Sequence, residues 1–343
     1  MGPMPRRLTL AIFNEPQGWS LDEAHVGWIA ERAPKGVEVI AVANREQLIA
    51  ALPETDYLAG FPLATISDAS LCRRLRWVQL VGSGGEAFAP IRALVEQAVR
   101  VTSALSIRTA STAEHAVALA LAMTRSLKSA ITAQQEHRWA TDDIAPTITD
   151  LAGATVGIVE LDAIGAEIAR RFAPFGVELL ATAAADIDDD QRQTVRAIMP
   201  TNRTDELLSR SDIIIVANPG PTEKPLLTRS DLAQFQPNSM LIDVSLSGVL
   251  RHSDLVWALE RRMLGAAGLD VFEQEPLPPE SPLWSMPNVI ITPHCAPVSP
   301  HYWDRAYEII VANLDRIEQN NPENPMIDEI TRRWSAGGVA ATQ

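Results

Sequence analysis

Short apolar runs alternate with segments of helical spacing over most of the chain. In the first third, runs at 8–13, 37–43, 57–59, 77–81 and 99–102 read as strands, and 21–32, 45–52 and 70–75 as the helices between them. Regular alternation of this kind predicts a parallel sheet with helices on both faces. A second series follows, with strands expected at 155–159, 177–181, 213–217, 240–244, 266–269 and 289–291, a complete doubly wound unit. Between the two, an alanine- and leucine-rich stretch at 112–135 predicts one long helix, capped by Ser111 or Thr112 and carrying Glu114 in its first turn. A last helix is expected near 300–320, lying back against the first domain with Tyr302, Trp303 and Tyr307, and followed by a Pro-, Gly- and Ala-containing tail.

Composition narrows the class without naming a chemistry. A chain of 343 residues, 46% hydrophobic and 21% charged, is long enough for two globular domains. Its net charge of −14 would repel nucleic acid and anionic lipid, so neither is expected as a partner. No apolar run approaches the ~20 residues that cross a bilayer, and 1–7 lacks the apolar stretch of a secretory leader, so a cytoplasmic location is expected. Cys72 and Cys295 are too few for a disulfide framework and have no metal-ligand spacing; both are read as reduced, and no metal is expected.

Candidate chemistry begins in two turns. After the strand at 77–81 comes Gly82-Ser83-Gly84-Gly85, a loop whose small residues allow backbone to approach a ligand or simply permit positive φ. The strand at 155–159 runs into Glu160-Leu161-Asp162-Ala163-Ile164-Gly165. A dinucleotide turn needs a first glycine for the bend, a second where pyrophosphate approaches, and a third for close helix packing. Glu160, Asp162 and Gly165 hold those places, so only the packing glycine is present. Two like charges ~4 Å apart repel by about 1 kcal/mol in water and by more when shielded from it. Ala183 stands where an acidic residue would bind the ribose diol, with Asp186 as a stand-in from a longer loop, and no nearby arginine suits a 2′-phosphate.

Five segments together resemble the D-isomer-specific 2-hydroxyacid dehydrogenase family. They are Val101-Thr102-Ser103-Ala104 with Ala113-Glu114-His115-Ala116; Leu151-Ala152-Gly153-Ala154-Thr155-Val156-Gly157-Ile158; Ile164-Gly165 with Phe175-Gly176; Leu269-Asp270-Val271-Phe272-Glu273-Gln274-Glu275-Pro276-Leu277; and Asn288-Val289-Ile290-Ile291-Thr292-Pro293-His294. The resemblance implies two Rossmann-like or flavodoxin-like doubly wound parallel-sheet domains with the active site in an inter-domain cleft. The substrate domain is expected at 1–103 plus 297–335, the nucleotide-type domain at 104–296 and a tail at 336–343, assembled as a homodimer. It also implies His294 as the proton-exchanging residue, Glu275 as the carboxylate that holds it charged, Asp270 beside the nicotinamide carboxamide, and Ser83, Gly84 and Gly85 as amides for a substrate carboxylate. His115 matches the family framework. The arginine that would bind carboxylate and carbonyl is replaced by Leu246, and Arg251 lies too far along to be assumed a substitute.

With turn, ribose carboxylate and arginine all altered while His294 and Glu275 persist, the sequence leads to a specific expectation. It is a redox-neutral enzyme with no nicotinamide cofactor, of lyase, hydratase, decarboxylase or isomerase type, acting on a small carboxylic acid through the His294 and Glu275 pair. The alternatives are an NAD- or NADP-dependent dehydrogenase with an unusual cofactor mode, and a non-catalytic ligand-binding or regulatory protein.

Overall fold

The computed structural model describes residues 5–15, 18–60, 69–81, 94–183, 187, 189–217, 225–245 and 249–329. The chain divides into two compact units, Met1–Ile107 with Pro300–Gln343, and Arg108–Ser299.

In the first unit, β1 (Arg6–Ala11), β2 (Val37–Ala41), β3 (Tyr57–Gly60), β4 (Trp77–Leu80) and β5 (Arg100–Thr102) form a parallel sheet in the order β2-β1-β3-β4-β5. That is the flavodoxin-like order, in which the winding reverses between β1 and β3. Every residue of β3 and β4 is buried, which is why these strands read as continuous apolar runs. The helices Glu23–Arg32 and Arg45–Ala51 start where Asp22 and Asn44 accept from the backbone amides of His25 and Gln47. The last helix, Tyr302–Gln319, packs Tyr307, Ile310 and Leu314 into the core around Leu8, Leu10, Tyr57 and Trp77. The helix expected at 70–75 is a single 3-10 turn, Ala69–Leu71, followed by buried Cys72 and Leu75.

The second unit contains β6 (Thr155–Val159), β7 (Glu178–Ala183), β8 (Ala197–Pro200), β9 (Ile213–Val216), β10 (Met240–Asp243), β11 (Ala266–Leu269) and β12 (Val289–Ile291). The order β8-β7-β6-β9-β10-β11-β12 is parallel throughout and begins with the arrangement of dinucleotide-binding sheets. β8 is an edge strand that the apolar pattern misses: four residues long, it ends on a proline, which only an edge tolerates readily.

The helix expected as one piece at 112–135 is two, Leu105–Thr124 and Leu127–Gln135, broken at Ser126, whose φ is 52°. Thr124 turns its hydroxyl back onto the Ala120 carbonyl at 2.9 Å, the local competition by which Ser and Thr weaken a helix end. Because the first piece begins earlier, Ser111 and Thr112 are interior residues and not caps. Ser111 donates its hydroxyl to the Arg108 carbonyl, and Glu114 reaches Arg171. Among the described residues no helix is long and apolar enough to cross a membrane.

Candidate active site

The chain leaves β11 at Asp270 and β12 at Thr292, so two adjacent strands deliver the acidic and basic groups to one edge of the sheet. Asp270 is fully buried and accepts three bonds: from the Thr292 hydroxyl at 2.6 Å, the Cys295 amide at 3.0 Å and the Ala296 amide at 2.8 Å. This carboxylate ties the segment after β12 to the end of β11. His294 donates its amide to the Asp270 carbonyl at 2.8 Å and holds a left-handed φ of 50°. Its Nδ1 then lies 2.7 Å from Glu275 Oε2, while Glu275 Oε1 accepts from the Phe272 amide at 2.9 Å. A carboxylate can only accept, so Nδ1 carries the proton and Nε2 is the ring atom left for a ligand.

His115 stands behind this pair, 2.9 Å from the Thr292 hydroxyl and 3.4 Å from Asp270. His115, Asp270 and Cys295 bring their ligand atoms within 4.8 Å of one another, a cluster the linear spacing of the cysteines does not reveal. The oxygens of Asp270 are already engaged, and burial together with the Asp270 charge pushes the Cys295 thiol up, away from the thiolate a metal needs.

A small pocket opens at His294, lined among others by Asp270, Arg108, Thr112, Val244 and Ser245. Arg108 carries no periodic or motif signal, and sequence reasoning passes over it. Asp243, ending β10, is buried, and its carboxyl is pushed up to about 6 by loss of solvent, with Asp270 adding to the rise and the Ser245 amide opposing it. Arg251 begins the helix His252–Glu260 from an exposed position. Ser83, Gly84, Gly85, Asp186 and Leu246 lie outside the described residues.

The turn after β6 is built differently from its appearance in sequence. Asp162 caps the helix Ala163–Phe172, its Oδ1 accepting from the Gly165 amide at 2.8 Å. Glu160 takes a left-handed φ of 68°, donates its amide to the Thr182 hydroxyl at 3.1 Å, and has its carboxyl pushed up by burial. Gly165 is required sterically, since a Cβ there would lie 2.8 Å from the Glu160 carbonyl oxygen. Ala183 closes β7 as a buried residue. Beyond the carboxyl ends of β6, β7 and β8 is a cavity of about 380 Å³, with Glu160, Thr182, Thr201, Asn202, Asp205 and Asp231 in its walls.

A doubly wound sheet of dinucleotide-binding order, with a capped helix and a cavity at its strand ends, defines a class of α/β nucleotide-binding folds. Comparison with known proteins takes this further. The family model described as the NAD binding domain of D-isomer specific 2-hydroxyacid dehydrogenase matches residues 117–296. D-3-phosphoglycerate dehydrogenase of Mycobacterium tuberculosis is 31% identical over 266 residues, covering 77% of this chain and 49% of that protein. Glyoxylate reductase of Korarchaeum cryptofilum is 29% identical over 246 residues, covering 71% and 73%. A probable 2-hydroxyacid dehydrogenase from Rhizobium etli, solved with NADP, HEPES and L(+)-tartaric acid, superposes with a TM-score of 0.73 at 22% identity, covering 97% and 99%. The chain belongs to the D-isomer specific 2-hydroxyacid dehydrogenase family, and it spans about half the length of the phosphoglycerate dehydrogenases it matches.

These findings overturn two expectations, the redox-neutral enzyme and the absence of a nicotinamide cofactor. The family model that matches is an NAD-binding domain, and the relatives are dehydrogenases and reductases. The turn misleads because charge was counted without structure. The Asp162 carboxylate serves as a helix cap, a role its place in the sequence does not distinguish from a charge facing pyrophosphate, and burial disfavours the charged form of Glu160.

Proposed function

We propose that the protein is an NAD(P)-dependent oxidoreductase that interconverts small 2-hydroxy and 2-oxo acids, with His294 as the proton-exchanging residue. The observation that carries this is the 2.7 Å contact between His294 Nδ1 and Glu275, in a chain whose residues 117–296 match an NAD-binding domain.

The residues fit a dinucleotide. The cavity beyond β6 and β7 is in the size range of small-molecule sites, and the hydroxyls of Thr182, Thr201 and Thr204 with the Asn202 amide suit adenosine. The N-terminus of the helix Ala163–Phe172 would hold the pyrophosphate, and Asp270 would hold the nicotinamide carboxamide. When bound, the nicotinamide supplies or receives the hydride. In reduction, His294 Nε2 gives its proton to the substrate carbonyl oxygen as that oxygen becomes a hydroxyl; in oxidation the same atom takes the proton back. Glu275 fixes the ring through Nδ1 and stays a carboxylate, held in turn by the Phe272 amide.

The test is direct. NADH and NADPH are titrated against nicotinamide fluorescence, and oxidation of each is then followed with glyoxylate, hydroxypyruvate and the 2-oxo acid of 3-phosphoglycerate. Binding of at least one cofactor and turnover of at least one acid are expected. No binding and no oxidation across the panel would overturn the reading.

A further inference from the structure

We infer that His115 is a positioning residue for the proton transfer at His294, acting through the Thr292 hydroxyl on the Asp270 carboxylate that fixes the turn carrying His294. The inference rests on the oxidoreductase reading above.

Asp270 sets the backbone on both sides of His294. Its carbonyl accepts from the His294 amide at 2.8 Å, and its carboxylate accepts from the next two amides, Cys295 at 3.0 Å and Ala296 at 2.8 Å. The same carboxylate takes the Thr292 hydroxyl at 2.6 Å, from the residue two places before His294. A buried carboxylate is stable only with donors around it, so each of these bonds supports the others.

His115 supplies a further donor, and counting hydrogens fixes its direction. Thr292 has one hydroxyl proton, and the Asp270 carboxylate at 2.6 Å and the Leu269 carbonyl at 3.4 Å can only accept it. Thr292 Oγ1 therefore accepts from His115 at 2.9 Å, and Nε2 carries the His115 ring proton. That nitrogen also lies 3.4 Å from Asp270 itself. The bonds run from the His115 N–H to the Thr292 O–H to Asp270, each donor polarising the next. The bond from His115 ends on Thr292, so its effect on proton transfer at His294 is indirect.

The fold aims the ring at this place. His115 and Leu119 lie one turn apart on the helix Leu105–Thr124, on one face. Gly268 in β11 and Asp270 just past its end are two residues apart, and Asp270 continues the ladder by donating its amide to the Asp243 carbonyl at 3.0 Å. A Cβ on Gly268 would stand 3.3 Å from Leu119 Cβ, so the glycine lets the helix settle close to the strand. One turn along, the same close approach brings His115 to Thr292 and Asp270.

The experiment is a double-mutant cycle on H115F and T292V, with H115Q and T292S as conservative controls. For each variant, kcat and KM are measured at saturating cofactor, with the acid of the panel above that wild type reduces fastest. H115F and T292V should each lower kcat roughly 10-fold, the worth of a hydrogen bond in a chain ending on a charged group, with KM for the acid within about threefold. The double variant should lose little more than either single one, because both cut the same chain. H115Q, whose amide nitrogen can stand where Nε2 does, should recover most of kcat, as should T292S. Unchanged kcat in H115F, additive losses in the double variant, or KM rising while kcat holds would each overturn the inference and leave His115 a packing residue. If H115F does not fold by circular dichroism, H115Q against H115N decides, because Asn is too short to reach Thr292. A gap of about tenfold or more in kcat then supports the inference, and equal kcat overturns it. A wild type that reduces none of the acids with either NADH or NADPH removes the oxidoreductase reading itself, and the role of His115 with it.

Discussion

His294 reaches Glu275 because its own backbone is left-handed, a region that residues with a Cβ enter at a cost of order 1 kcal/mol. The substitution that isolates its chemistry is therefore His294→Asn, since Asn tolerates the same backbone. Steady-state kinetics should show kcat/KM lower by roughly 10²- to 10⁴-fold, with NADH affinity and melting temperature nearly unchanged. An equal loss of melting temperature would assign His294 to structure instead. Asp243 makes a pH prediction. Its folded carboxyl titrates near 6, above the ordinary value of 3.8, so the folded state binds more protons than the unfolded chain between those two pH values. Stability contributed by this group is full below pH 3.8 and declines as pH rises through 6. Asp243→Asn should remove that decline, gaining on wild type by up to ~3 kcal/mol between pH 4 and 7 in denaturant melts. A constant difference across that range would mean that Asp243 is not the titrating group.

Elements decide which residues sequence can reveal. The strand alternation gave both sheets, because buried parallel strands read as apolar runs, and the ends of β11 and β12 placed Glu275 and His294 from motif alone. Features without a periodic signal were hidden: β8 on the sheet edge and the break at Ser126. The turn after β6 was legible in composition and misread in role, since a carboxylate facing pyrophosphate and one capping a helix look identical in a sequence. Asp162→Ala should accordingly cost about 1 kcal/mol of stability, the usual value of a lost cap. Were Asp162 only a repulsive charge, the substitution would be neutral or stabilising in the same melt. Gly165→Ala should be worse than neutral, because its Cβ would press on the Glu160 carbonyl oxygen, which is backbone and cannot swing aside. Lower melting temperature and weaker NADH binding together are expected; a variant matching wild type in both would place the helix differently.

At the scale of the whole molecule, charge and site oppose each other. A chain of net charge −14 repels the dianionic cofactor that its second unit is proposed to hold. Screening shortens the range of that repulsion from about 30 Å at 0.01 M salt to about 8 Å at 0.15 M. NADH association, measured by stopped-flow fluorescence, should therefore accelerate with added salt, opposite to an anion meeting a basic surface. NADPH should respond more strongly and bind more weakly at low salt, because its extra phosphate would meet a cavity walled by Glu160, Asp205 and Asp231 with no described lysine or arginine among its lining residues. Glu160 opposes it least, since burial already disfavours its charge, which leaves Asp205 and Asp231 as the carboxylates to neutralise. In Asp205→Asn the NADH-to-NADPH affinity ratio at low salt should fall by roughly 5- to 10-fold, equivalent to about 1 kcal/mol of removed repulsion. A ratio that does not move, or NADPH binding as tightly as NADH in wild type at low salt, would show that the adenosine phosphate lies away from this cavity.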